Sequence, residues 1–165
     1  MNQVNLWKGQ GFYFLAPWPI LTYTALPMAE HYHCLSLFSA GLDSILAARV
    51  LMAQGLKVKC PHFVSPFFGD VRRIPHWERV WGLDIAAVDV SAEFTAMLRG
   101  PVHGFGKLLN PCMDCKILML SRARELMPRF GATFLATGEV VGQRPMSQRR
   151  DAMNAIARDA GVKGL

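Results

Sequence analysis

One stretch constrains the fold more than any other: Cys34-Leu-Ser-Leu-Phe, then Ser39-Ala-Gly-Leu-Asp-Ser44, then Ile-Leu-Ala-Ala-Arg-Val. The first five residues are short and apolar, as in a strand buried on both faces. Six residues, five of them small or polar, break that run. Ile45, Leu46, Val50 and Leu51 then recur around a helix predicted over residues 43–54 and closed by Gly55. A strand that turns abruptly into a helix points backbone N–H groups into one concavity, and the helix dipole adds positive potential there. Such a loop can hold phosphate. Ser39 and Ser44 add hydroxyl donors, whereas Asp43 only accepts and is suited to hold Mg²⁺ or to order the loop. The glycine spacing fits neither Gly-x-Gly-x-x-Gly nor Gly-x-x-x-x-Gly-Lys-Ser/Thr. An ordinary strand-to-helix turn with Asp43 or Ser44 as helix cap accounts for the same residues.

The alternation continues along the chain. Strands are predicted over residues 58–64, 84–90 and 132–137, and helices over 74–82, 91–98, 113–130 and 147–160. Ser91 is the expected cap of one short helix. The longest helix carries Leu120, Ala123, Leu126, Met127 and Phe130 on one face, and Pro128 is expected to disturb its last turn. This order predicts an α/β fold: a doubly wound parallel sheet with helices on both faces and ligands at the carboxyl ends of the strands. With 165 residues, 52% of them hydrophobic, the chain suits one domain with a real core. That domain is expected over residues 28–165. Residues 1–27 superficially resemble a secretory leader, but Pro17, Pro19 and Pro27 interrupt the apolar run and no stretch reaches membrane-span length. They are expected to form a poorly ordered extension. Four cysteines, Cys34, Cys60, Cys112 and Cys115, are too few for a secreted disulfide scaffold, which points to reduced thiols in a cytoplasmic protein. A net charge of +6 favours a polyanionic partner.

Three motifs, in order, resemble one family. Residues 39–44 resemble the pyrophosphate loop Ser-Gly-Gly-x-Asp-Ser of the PP-loop ATPases, with Ala40 in place of the first glycine. If that position needs φ > 0, alanine is costly there. Asn110-Pro-Cys-Met-Asp-Cys-Lys116 looks like the Asn-Pro-x-x-x-Cys segment of tRNA 2-thiouridylases, with Cys115 at the family's reactive cysteine. Thr137-Gly-Glu-Val-Val-Gly-Gln143 looks like the Thr-Gly-Glu-x-x-Gly-Gln segment of tRNA 4-thiouridine synthetases, which follows the fourth strand beside the nucleotide. The resemblance spans about residues 34–150 and implies a Rossmann-like PP-loop domain that spends ATP to adenylate a uridine carbonyl of tRNA before sulfur displaces AMP. It implies ATP and pyrophosphate contacts from Ser39, Ala40, Gly41, Asp43, Ser44, Gly138 and Gln143, with Mg²⁺ on Asp43. It also implies sulfur delivery by Cys115, with Cys112 resolving the disulfide, from a sulfur donor protein or sulfide.

The cysteine pair supports more than one chemistry. A thiol at a helix start beside Lys116 is expected to have a lowered pKa, which suits a sulfur carrier. Cys112 and Cys115 are equally half of an iron–sulfur site. Some relatives hold a cluster with three cysteines, the last one downstream, and none follows Cys115 here. Cys60 in the second predicted strand, Cys34, or a second chain would have to supply the missing ligand. A zinc site lacks its second Cys/His pair, although His103 is near in sequence. Two small thiols buried at a helix start are the purely structural alternative.

Arg144, Arg149 and Arg150 fall in or just after the loop at the carboxyl end of the fourth strand, within reach of a phosphate of ATP or tRNA. With Arg72, Arg73, Arg99 and Lys107 they predict a positive rim, although a solvated surface explains any one of them. Trp77 and Trp81 are at helical spacing and are expected to pack on the sheet. His62, His76 and His103 have no partner assignable from sequence. The family's usual RNA-binding and sulfur-relay domains are not recognisable, and the chain stops at Gly-Val-Lys-Gly-Leu where another strand is expected. The expectation is therefore a fragment, a truncated product, or a core that needs a homodimer or partner domain. The leading reading is ATP-dependent tRNA thiolation. An amidating or deazapurine-forming ligase, and an inactive nucleotide- or metal-binding module, are the alternatives.

Overall fold

A computed structural model describes residues 31–106, 109–143 and 147–163. The expected extension over residues 1–27, and Lys107 and Arg144, lie outside the described residues. The elements in chain order are β1 (Cys34–Ser36), α1 (Leu42–Ala53), β2 (Val58–Val64), α2 (Ile74–Trp81), β3 (Asp84–Asp89), α3 (Ser91–Leu98), α4 (Cys112–Phe130), β4 (Phe134–Ala136) and α5 (Arg150–Asp159). The four strands form one parallel sheet in the order β3-β2-β1-β4, with Leu35 opposite both Lys59 and Leu135. The expected doubly wound α/β architecture is what the chain adopts.

Side-chain alternation along β1 divides the core into two layers. Cys34 and Phe38 face α1 and α2, packing with Ile45, Ala48, Cys60 and Trp77. Leu35 faces the other way, onto Leu126 and Met127 of α4. Pro61 sits inside the central strand β2, where it donates no hydrogen bond, yet its carbonyl accepts the Phe38 N–H at 3.0 Å and so carries β1–β2 pairing to the mouth of the loop. At the amino ends of the strands Asp84 is paired with Lys59 and accepts from the Tyr32 hydroxyl, which stitches β2 and β3 to the start of the domain.

α1 meets the sheet through the narrow line of Ser44, Ile45 and Ala48, which leaves Leu46 and Val50 half-exposed. Two local expectations need correction. Ser91 does not cap α3; its N–H donates to the Asp89 carboxylate at 2.8 Å, so the cap comes from the end of β3. Pro128 lies within the last turn of α4, which runs to Phe130 as expected and closes at Gly131 with φ +63°; one lost ladder bond this near the end is tolerated. The last helix starts at Arg150 rather than Ser147, since the Gly142 N–H takes the Gln148 carbonyl at 2.8 Å and draws that segment back over the preceding loop. Among the described residues no helix is long and apolar enough to cross a membrane.

The strand order fixes where a ligand can sit. From β1 the chain leaves towards β2 on one side, while β4 lies on the other, so the loops after β1 and β4 diverge and open a crevice at their carboxyl ends.

Candidate functional site

Residues 39–44 form that crevice's first wall. Gly41 precedes α1 in extended conformation and no side chain caps the helix, so neither Asp43 nor Ser44 plays the capping role that an ordinary turn requires. The amides of the first turn are left for another acceptor. Ser44 is turned inward instead: its hydroxyl donates to the Gly41 carbonyl at 2.7 Å and accepts the Ser39 N–H at 3.3 Å. The Gly41 N–H in turn reaches the Ser39 hydroxyl at 3.4 Å, which closes the loop on itself. Ala40 sits at φ +64°, in the left-handed region; among the described residues only Leu109 is another non-glycine there. Glycine would carry no penalty at residue 40, whereas alanine costs roughly 1–2 kcal/mol.

Gly138, directly after β4, supplies the facing wall. A Cβ added to it would lie 2.4 Å from the carbonyl carbon and oxygen of Asp43 and 2.6 Å from the Ser44 nitrogen, so the two loops meet backbone to backbone. A hollow of about 420 Å³ opens beside this contact, lined by Asp43, Gly138, Glu139 and the flank of α1 at Leu46 and Val50. Glu139 forms an ion pair with Lys116 on α4, which ties the loop after β4 to the cysteine-bearing helix. All three motifs are thereby contiguous. Gln143 is exposed on the turn where its N–H meets the Val140 carbonyl at 3.2 Å.

Cys112 is the first residue of α4, and the Cys115 N–H donates to the Pro111 carbonyl at 2.9 Å. Between them Asp114 is buried and accepts the backbone N–H groups of Val102 and His103, both at 3.0 Å. His103 also meets Asp159 of α5 at 3.2 Å, so the turn beside the cysteines is held from two helices. The expected acidic thiol is not there: burial, reinforced by Cys112, pushes Cys115 up to about 11, against the smaller opposing effect of Lys116. Glu139 already compensates the Lys116 charge. Cys34 and Cys60 lie fully buried in the layer under α1, with Cys60 pushed up to about 12 by burial and the Asp84 charge. They are core residues and not further ligands. Among the described residues no group of three His, Cys, Asp or Glu side chains is placed to hold a metal, so the residues present do not fit an iron–sulfur cluster.

The positive rim is weaker than the sequence implies. Arg149 pairs with Asp151 at 3.2 Å and Arg72 with Asp70 at 2.9 Å, while Arg150 stands at the start of α5 and the Arg73 guanidinium lies over Trp77. Trp77 is buried, but Trp81 is exposed and contributes mainly its carbonyl, to Arg49. Gln148, at the end of the stretch that carries the third motif, and His62, which no motif includes, are also buried. Gln148 leaves its side-chain carbonyl oxygen without a partner. His62 is 3% exposed, with one ring nitrogen 2.9 Å from the Phe38 carbonyl and the other 3.2 Å from the Asp70 nitrogen.

The family model described as "Thiamine biosynthesis protein (ThiI)" matches residues 30–162. A protein of Thermococcus kodakarensis named as a probable tRNA sulfurtransferase is 26% identical over 149 residues, covering 85% of this chain and 37% of the relative. The tRNA-specific 2-thiouridylase MnmA of Syntrophotalea carbinolica is 31% identical over 119 residues, covering 64% and 34% respectively. The chain thus spans about a third of the length of these relatives. Among solved structures, a predicted tRNA methyltransferase subunit from Methanocaldococcus jannaschii has a TM-score of 0.52 at 12% identity, covering 78% of this chain and 65% of that one. The NMN synthetase of Francisella tularensis has a TM-score of 0.50 at 14% identity, covering 64% and 44%. These two likenesses establish the fold alone.

Proposed function

Since the chain belongs to the ThiI family, within the PP-loop ATPases of tRNA thiolation, we propose that it binds ATP in the crevice between the loops after β1 and β4 and adenylates tRNA there. The observation that carries this reading is the backbone contact of Gly138 with Asp43 and Ser44, which puts two motifs from separate parts of the chain against one uncapped helix start. The first-turn amides of α1 and the Ser39 hydroxyl face the pyrophosphate, and the helix dipole favours its charge. Asp43 fits a single carboxylate ligand for Mg²⁺, an ion that commonly takes one or two carboxylates together with substrate phosphates. When bound, the ion neutralises charge on the departing pyrophosphate.

In the reaction the uridine carbonyl oxygen attacks the α-phosphorus and pyrophosphate leaves. A sulfur atom carried as a persulfide on Cys115 then attacks the activated carbon and displaces AMP. Cys112 attacks the Cys115 sulfur, which releases the thiolated base and leaves a Cys112–Cys115 disulfide; an external dithiol must reduce it before the next turn. No step is routed through a cluster. Cys115 is held as a thiol at neutral pH in this conformation, so its loading with sulfur is base-dependent.

The test is product analysis on anaerobic protein with ATP, Mg²⁺ and tRNA lacking the modification, beside Asp43→Ala. RNA-dependent AMP and pyrophosphate, lost in the variant, are expected. ATP binding without turnover would favour a nucleotide-holding module instead, a reading to which the strained Ala40 lends weight.

A further inference from the structure

The strain at Ala40 has to be held by its neighbours, and one of them is a residue outside every motif. His62 sits in β2 with its ring edge-on to Phe38 and Trp77, at centroid distances of 5.8 and 5.1 Å. Its two nitrogens face partners that allow one assignment. The Asp70 backbone N–H can only donate, so Nε2 accepts from it; the Phe38 carbonyl can only accept, so the proton is on Nδ1. Burial, which lowers the pKa of this imidazole, favours the same neutral form.

Each bond lands on a critical place. The Phe38 carbonyl belongs to the peptide that enters the loop, and the N–H of that same peptide, on Ser39, donates to the Ser44 hydroxyl at 3.3 Å. This peptide plane is therefore pinned from both sides, three residues before α1 begins and next to the strained alanine. The other bond anchors residues 65–70, which close on themselves through the Ser65 N–H and Phe68 carbonyl at 2.8 Å. That segment lies close against the end of β2, since a Cβ on Gly69 would lie 2.6 Å from the Phe63 carbonyl oxygen.

We propose that His62 is a positioning residue for the nucleotide site: as a neutral Nδ1–H imidazole it fixes the Phe38–Ser39 peptide, holds the strained loop at residues 39–44 in its binding shape, and couples it to residues 65–70. Its effect on ATP rests on the reading that this loop takes the phosphates. Its effect on the loop does not.

Two measurements separate these. Hydrogen exchange on the full chain without ligand compares the Ser39 and Gly41 amides in wild type and His62→Phe, a ring of similar shape that cannot bridge. Faster exchange confined to those amides and Asp70 is expected; unchanged protection there overturns the proposal whether or not ATP binds. Calorimetric titration with Mg²⁺–ATP then follows the consequence. His62→Phe should bind about tenfold more weakly, His62→Gln, which can both donate and accept, should stay within about threefold of wild type, and the loss should shrink in an Ala40→Gly background. A loss equal in both backgrounds marks a merely structural residue and overturns the proposal. Wild type that binds no ATP, with exchange altered as expected, overturns the functional reading and leaves the positioning role standing. If His62→Phe does not fold, His62→Asn, whose shorter amide reaches one partner at most, takes its place in both measurements.

Discussion

Two thiols, the buried Cys60 and the half-buried Cys115, set how the protein responds to alkaline pH. Burial raises Cys115 from an ordinary thiol value to about 11 and Cys60 to about 12. Unfolding returns both groups to about 9, so the folded state binds protons more tightly than the unfolded one across that interval. Their contribution to stability is complete below pH 9 and is lost as pH rises from 9 towards 11 and 12. Chemical denaturation repeated at stepped pH should give a flat stability up to about pH 8.5 and a decline above it, with Cys115 accounting for on the order of 2 kcal/mol. Cys115→Ser should make the decline shallower. The same shift predicts slow alkylation of Cys115 by iodoacetamide at pH 7.5, accelerating tenfold for each unit of pH until about 11. A pH-independent stability over that range, or fast alkylation at neutral pH, contradicts a protonated Cys115.

At the scale of elements, the site depends on how closely the loops after β1 and β4 approach. Gly138→Ala places a methyl group where the Asp43 backbone already stands, 2.4 Å away, and backbone on both sides leaves nothing soft to yield. The loops must separate. The expected result is destabilisation of about 1–3 kcal/mol, in the range of an overpacked core position, with ATP affinity reduced more than tenfold, read by thermal unfolding and nucleotide titration. This contact also marks what the sequence could disclose. The strand, loop and helix at residues 34–54 were legible because apolar periodicity changes abruptly there and small residues punctuate it. The order of motifs pointed to one site, but their contact rests on the absence of a Cβ at Gly138, which no pattern along the chain reports. Periodicity gives the direction of a face, but its width, which leaves Leu46 and Val50 half-exposed, depends on what the sheet can accommodate beneath Ala48. His62 carried no signal at all, since its partners are the carbonyl of Phe38 and the N–H of Asp70, and backbone groups are the same at every residue.

At the scale of the whole molecule, the sheet is finished unevenly among the described residues. There β3 is the outer strand on one side, and on the other side β4 pairs with β1 alone over three residues. Beside β4 lie the exposed Leu46 and Val50 on α1, together with Val140 and Val141, each at least half-exposed among the described residues. A strand edge next to an apolar flank of this kind is a template for association, because water satisfies its backbone groups but gains nothing from the side chains. The net charge of +6 opposes association at long range, but salt screens it and the flank itself is apolar. The chain is therefore expected to self-associate as its concentration rises. Replacing Leu46 and Val50 by lysine puts two like charges on that flank without removing a buried side chain. Sedimentation velocity over a hundredfold concentration range should show a mass that grows in the wild type and stays that of one chain in the double variant, with the unfolding transition of the variant within a few degrees. Association that persists unchanged in the variant would locate the contact elsewhere on the surface, and loss of folding would mean that this flank carries more packing than its exposure indicates.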